Sequence, residues 1–178
     1  MRADAQRNRA LIVTAASEAV ARDGAYASLE EIARAAGVGS ATLHRHFPSR
    51  WALLEAVFHD RVEALCTRAG ELSTGPDARQ ALTTWLCELA VYSTTTRGLV
   101  TSLLKAPPES ESCSAMLVAA GEPLRRRAAE EGTVRADVEM IDLVTLVKAI
   151  ALAAESTSAA EAERLVRLAL EGISPSRQ

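Results

Sequence analysis

Apolar residues recur at helical spacing from early in the chain. Leu11, Ile12, Ala15, Ala16, Ala19 and Val20 share one helix face, and Asp23-Gly24 closes the run because glycine accepts the left-handed conformation of a helix C-terminus. Ser28-Leu-Glu-Glu31 fits a capping box that opens a second helix, with the Ser28 hydroxyl taking a free amide and Glu31 reaching back to the cap. Leu29, Ile32, Ala33 and Ala36 supply its apolar face, and it stops at Gly37. After Val38-Gly39, Ser40 is expected to cap a third helix with Leu43 and Phe47 on one side and Ala41, His44 and Arg45 on the other, until Pro48 ends it. Ser49 caps a longer fourth helix, whose stripe of Leu53, Leu54, Val57, Phe58, Val62 and Leu65 continues to about Glu71.

Ser73-Thr-Gly-Pro76 then interrupts the chain, and Ser73 to Asp77 is its sharpest boundary. Beyond it the pattern predicts helices at about 77–96, 97–105, 112–131, 138–155 and 159–172. They are separated by Arg97-Gly98, Pro107-Pro108, Gly132-Thr133 and Ser156-Thr-Ser158. Hydrophobic residues make up 48% of the 178 positions but aromatics only 3%, with Ala and Leu dominant. Small side chains let helix faces touch closely, so the expected fold class is all-α. The length suits one ordinary domain, or a small module fused to a larger one.

Charge adds a weak asymmetry. The formal net charge is −3, which argues against a chain that binds nucleic acid over its whole surface, yet the first fifty residues carry seven arginines against five acids. Cys66, Cys87 and Cys113 are widely spaced and odd in number, a pattern that fits a reduced, cytoplasmic protein without a disulfide or metal framework. The first residues are polar, with no signal-peptide pattern. The longest apolar stretch, Leu143 to Ala154, contains Lys148 and is too short to span a bilayer. A soluble protein with no membrane partner is expected.

Two short helices joined by a glycine-containing turn, and preceded by a helix that buries their apolar side, describe a helix-turn-helix whose later helix enters the major groove. The third helix has suitable chemistry. Small Ser40 and Ala41 let the backbone approach, Thr42 and His44 can bond phosphate oxygens, and Arg45 can reach a guanine edge or a phosphate. Arg50 opens the fourth helix, where free amides and a cation together favour a phosphate, and Trp51 could pack beneath the DNA backbone. His44, His46, His59 and Cys66 also raise metal ligation as an alternative. Histidines two apart on a helix diverge, however, so no metal and no cofactor is expected.

The stretch S-L-E-E-I-A-R-A-A-G-V-G-S-A-T-L-H-R-H-F-P-S-R, Ser28 to Arg50, resembles the TetR family of bacterial transcriptional regulators, and the likeness extends from about Leu11 to Phe58. The T-L-x-x-H-F element followed by a basic residue carries most of its specificity. His44 stands where the family usually has Tyr, and Trp51 where a polar or acidic residue is common. The resemblance implies that Thr42, His44, His46 and Arg50 grip phosphates while Ser40, Ala41 and Arg45 face bases; Ser28, heading the second helix, completes the DNA-facing set.

Ala81 to Leu99 is similar to the SbtR-like branch, and Glu131 to Val138 resembles a turn common across the family. The implied organisation is a helix-turn-helix domain at 1–58, joined by helix four to a larger helical effector-binding and dimerisation domain at 59–178. The implied activity is that of a homodimeric repressor, released from a palindromic operator by a largely apolar small molecule. An effector pocket is expected among Trp85, Leu89, Tyr92, Leu103, Met116, Leu117 and Leu146, although Trp85 and Tyr92, seven apart on one helix face, read more readily as bundle core, since aromatics at helical spacing are ordinary packing. Val144, Val147 and Ala151 with Leu165, Leu168 and Ala169 are expected to form a four-helix dimer interface. Arg125-Arg-Arg127 reads as a solvated face beside Glu130 and Glu131 rather than a second DNA patch.

Two other classes remain as alternatives: an all-α enzyme, and a helical interaction protein without operator binding. No G-x-S-x-G, H-E-x-x-H, phosphate-loop or dinucleotide fingerprint supports the first. The Ser40, Thr42, Arg45 and Arg50 set is required by neither.

Overall fold

The computed structural model describes residues 2–95, 112–154 and 157–172. They hold eight helices in chain order: α1 (Arg2–Asp23), α2 (Leu29–Ala35), α3 (Ser40–His46), α4 (Arg50–Ser73), α5 (Ala78–Thr95), α6 (Ser112–Glu130), α7 (Met140–Ala154) and α8 (Ala159–Gly172). The helix expected at 97–105 lies outside the described residues. The described chain divides into two units, with the division inside α4 between Asp60 and Arg61.

In the amino-terminal unit, α1 packs on α2, and α2 on α3. Ile12, Ala15, Ala16, Ala19 and Val20 of α1 are buried with Ile32 and Ala33 of α2, Leu43 and Phe47 around α3, and Leu53, Leu54 and Phe58 of α4. Leu11 does not join them; it stands at the edge of the α1 stripe and is exposed. The links between these helices follow from backbone chemistry. Gly37 has φ of +68°, which a side-chain-bearing residue rarely adopts, and this lets its amide bond the Arg34 carbonyl at 3.1 Å while Val38 bonds Ala33 at 3.0 Å.

Two cap expectations change. The Ser28 hydroxyl accepts from the Glu31 amide at 3.4 Å, but it donates to the Glu30 carboxylate at 3.1 Å, so Glu30 rather than Glu31 turns back towards the cap. Ser40 is the first helical residue and not the cap. Gly39 takes the cap position, with the Thr42 and Leu43 amides on its carbonyl and no side-chain cap bond. The Ser40 side chain is thereby left at the surface. Ser49 caps α4 as expected, accepting from Ala52 at 3.1 Å.

The carboxy-terminal unit is built around α5, which packs against α6, α7 and α8. Leu82, Trp85, Leu86, Leu89 and Ala90 fill its centre. The Trp85 indole donates to the Leu65 carbonyl at 2.9 Å, satisfying the one polar atom such a buried ring carries. α6 crosses this ring at Gly121, where hydrogen takes the place of a side chain. The Arg125-Arg-Arg127 run is only partly a solvated face. Arg126 is exposed opposite Glu130 at 3.8 Å, whereas Arg125 donates to Glu122 and the Val138 carbonyl, and Arg127 to Glu131 and the Ser73 carbonyl. The two carbonyl bonds tie α6 to the loop at Val138 and to the end of α4 at Ser73.

Among the described residues, no helix is long and apolar enough to cross a membrane.

Candidate functional site

The amino-terminal unit presents α3 by its outer side. Leu43 and Phe47 anchor the inner side, and the Arg9 guanidinium lies over the Phe47 ring at 5.3 Å. With that side fixed, Ser40, Ala41, His44 and Arg45 are exposed together, and Thr42 and His46 are half-buried at the flanks. This surface pairs two small residues, over which another backbone can come close, with hydroxyl, imidazole and guanidinium donors.

Arg50 is placed differently from the rest of the set. Its Nη1 donates to the Ala25 carbonyl at 3.2 Å and the Ala27 carbonyl at 2.5 Å, so the partly buried guanidinium ties the start of α4 to the turn between α1 and α2. The residue chosen as a phosphate donor is thus also a structural brace, because unpaired turn carbonyls lie within its reach. Ser28 too is engaged, by Glu30. The Glu30 carboxylate is held below its ordinary range by a backbone hydrogen bond first and the Ser28 hydroxyl second, with smaller contributions from the charges of His44 and Arg50. An ionised acid at the head of α2 was missed in the sequence because Glu30 reads there as ordinary first-turn helix chemistry. Tyr26, exposed in the α1–α2 turn, was missed for a similar reason: lone surface aromatics carry no periodic signal.

In the carboxy-terminal unit, the expected pocket residues do not meet around one space. Trp85, Leu89 and Leu117 are core residues, Met116 packs against that core, Leu146 is exposed, and Leu103 lies outside the described residues. Of the six described residues, Tyr92 alone lines the cleft of about 600 Å³ between α4, α5 and α8. The cleft walls combine Leu65 and Val91 with Arg61, Arg68, Glu88 and Arg167. Apolar periodicity selects core and misses this wall, but the charged residues do recur at helical spacing: 61 and 68 on α4, 163 and 167 on α8. Burial pushes the Tyr92 phenol and the Cys87 thiol up, so both stay protonated at neutral pH. Burial, then the Glu63 charge, does the same for Cys66. A protonated thiol is a poor nucleophile or metal ligand. Among the described residues no three His, Cys, Asp or Glu side chains group as metal ligands.

The expected dimer set also divides. Val144, Val147 and Ala151 point into the chain's own core, because α7 turns that side towards α5. The large apolar residues that α7 and α8 leave exposed are Ile141, Leu146, Leu152 and Leu168; Leu165 and Ala169 are half-buried beside Leu168.

A short α2, a glycine turn and an α3 with a polar outer side, backed by α1, make the amino-terminal unit a helix-turn-helix head. Residues 12–57 match the family model for bacterial regulatory proteins of the tetR family, and residues 77–175 match the model for the SbtR-like transcriptional regulator C-terminal domain. The chain belongs to the TetR family of transcriptional regulators. Among solved structures it is 32% identical to a TetR transcriptional regulator from Streptomyces coelicolor, covering 95% of this chain and 99% of that one, with a TM-score of 0.63. It is 33% identical to a TetR regulator from Mycobacterium vanbaalenii, with coverages of 97% and 98% and a TM-score of 0.53. The regulator FadR from Bacillus subtilis, solved with stearoyl-CoA, shares the fold at 14% identity, with coverages of 94% and 98% and a TM-score of 0.67. A comparison with curated proteins finds no match.

Proposed function

We propose that this regulator is a homodimeric repressor that grips a palindromic operator through α3 and lets go when a small molecule occupies its carboxy-terminal unit. The observation that carries the reading is the outer side of α3, where Ser40, Ala41, His44 and Arg45 stand exposed together on a helix locked from behind by Leu43 and Phe47. Arg45 and the small residues read bases, while Thr42, His44, His46 and Ser28 hold phosphates. Arg50 acts at the same surface mainly by bracing it. The helix-turn-helix domain is assigned to 1–58 and the effector and dimer domain to 59–178.

One seven-residue helix reads few base pairs, so two copies related by a twofold are needed to reach successive major grooves. The pairing surface we assign is the exposed side of α7 and α8, with Ile141, Leu146, Leu152 and Leu168. The effector site is assigned to the cleft beside Tyr92. Stearoyl-CoA in the FadR structure and resorcinol in a structure of RolR illustrate how different the ligands of such folds are. Selection of bound sequences from random DNA tests the reading. A palindromic motif whose binding weakens steeply with salt is expected, and recovery of no motif would refute operator binding.

A further inference from the structure

We propose that the cleft between α4, α5 and α8 takes a monoanionic organic acid, a single carboxylate on a flat apolar body, with Arg61 as its anchor. The inference rests on the reading of this cleft as the effector site and names the chemical class of the effector. A space of about 600 Å³ suits a small organic ligand. Leu65, Val91 and the ring of Tyr92 give it apolar walls.

The charges around it are unequal in their commitments. Arg68 is tied to Glu71 at 3.0 Å and Glu88 at 3.2 Å, and Arg167 faces Glu163 at 3.8 Å. Arg61 makes no ion pair among the described residues; its guanidinium lies over the Tyr92 ring, 5.8 Å from the centroid. This cation–π contact engages no acid, so two of the Arg61 N–H groups can be donated to a carboxylate. A flat body then has the apolar wall beside it.

The two acids set the limit on charge. Glu88 and Glu163 line the same cleft, so a second negative charge on the ligand would meet repulsion. A cation would meet three guanidinium groups, and a neutral ligand would leave Arg61 unused.

Isothermal titration of the full-length protein with 1-naphthoate, 1-naphthamide and naphthalene-1,8-dicarboxylate tests this. The monoacid should bind saturably, with the amide and the diacid each about tenfold weaker, the scale of one charge-assisted hydrogen-bond pair. Arg61→Gln should abolish the preference for acid over amide, and Glu163→Gln should tighten the monoacid about threefold by removing a competing charge. Absence of naphthoate binding, equal binding of acid and amide, or a preference that survives Arg61→Gln would each overturn the proposal. Operator affinity measured in parallel separates the two readings. Naphthoate binding that leaves operator affinity unchanged upholds the ligand class and removes the effector role, whereas normal operator binding with no naphthoate binding removes the ligand class alone.

Discussion

Gly121 and Trp85 meet so closely that a β-carbon on the glycine would lie 2.7 Å from the indole Cζ3. Met140 Cε would be equally near, but a methionine end can swing aside. The indole cannot, being fully buried and held by its bond to the Leu65 carbonyl. Gly121→Ala is therefore expected to destabilise the protein by about 1–3 kcal/mol through overpacking, despite alanine's better helix propensity. Urea unfolding followed by circular dichroism measures it; a neutral or stabilising effect would show that α6 can lift from α5 at no cost.

Arg45 and Arg50 should fail in different ways. Arg45 is exposed, so Arg45→Ala should leave stability within about 0.5 kcal/mol of wild type while lowering operator affinity, with relaxed preference at one base pair of each half-site if it reads guanine. Arg50→Ala leaves the Ala25 and Ala27 carbonyls without their donor, so it should lower stability by about 1–3 kcal/mol and weaken all DNA sequences alike. Melting curves and salt-dependent binding of both variants decide the matter. An Arg50→Ala protein as stable as wild type would return Arg50 to a purely phosphate-facing role.

How far the sequence could be read depended on what each signal measures. Helical periodicity found the helices because core burial is what writes it, and the glycines at 24, 37 and 132 marked turns because each takes positive φ. The same signal did not divide buried from exposed positions within the dimer and pocket sets. Every position on α7 at which an apolar residue recurs looks alike in a helix with apolar residues on more than one side; Val144 and Leu146 are indistinguishable by type, yet one is buried and the other exposed. The outer side of α3 was legible because Leu43 and Phe47 fix its rotation. The brace made by Arg50 was not, since its partners are backbone carbonyls more than twenty residues away.

The Glu122–Arg125 pair should make part of the stability depend on pH. Arg125 donates Nε at 2.9 Å and Nη2 at 2.5 Å to the two carboxylate oxygens, which holds Glu122 below its ordinary value of 4.5. A depressed folded-state value means the contribution is complete above about 4.5 and is lost as pH falls through the lower folded value. Because the Glu122 side chain is 43% exposed, solvent screening reduces it to about 1 kcal/mol or less. Glu122→Gln should accordingly cost stability at pH 7, and the cost should shrink as pH falls below about 4.5. A difference that stayed constant with pH would assign the loss to packing.

Two apolar sides of α7 should respond differently to an introduced charge. Val144 is fully buried and Leu152 is 39% exposed, although both lie on α7. Val144→Asp places an unpaired charge in the core beside α5, which should cost several kcal/mol or prevent folding altogether. Leu152→Asp places the same charge on a surface that water already reaches in one copy of the chain, so the isolated copy should stay folded. If two copies pair through Ile141, Leu146, Leu152 and Leu168, the aspartates become buried at that surface without partners, and association should weaken by at least about tenfold. Operator affinity should fall with it, because a single head reaches one half-site only. Sedimentation velocity and operator binding on the same preparations test the chain of inference. Leu152→Asp protein that is folded, dimeric at low micromolar concentration and fully active on DNA would place the pairing surface elsewhere.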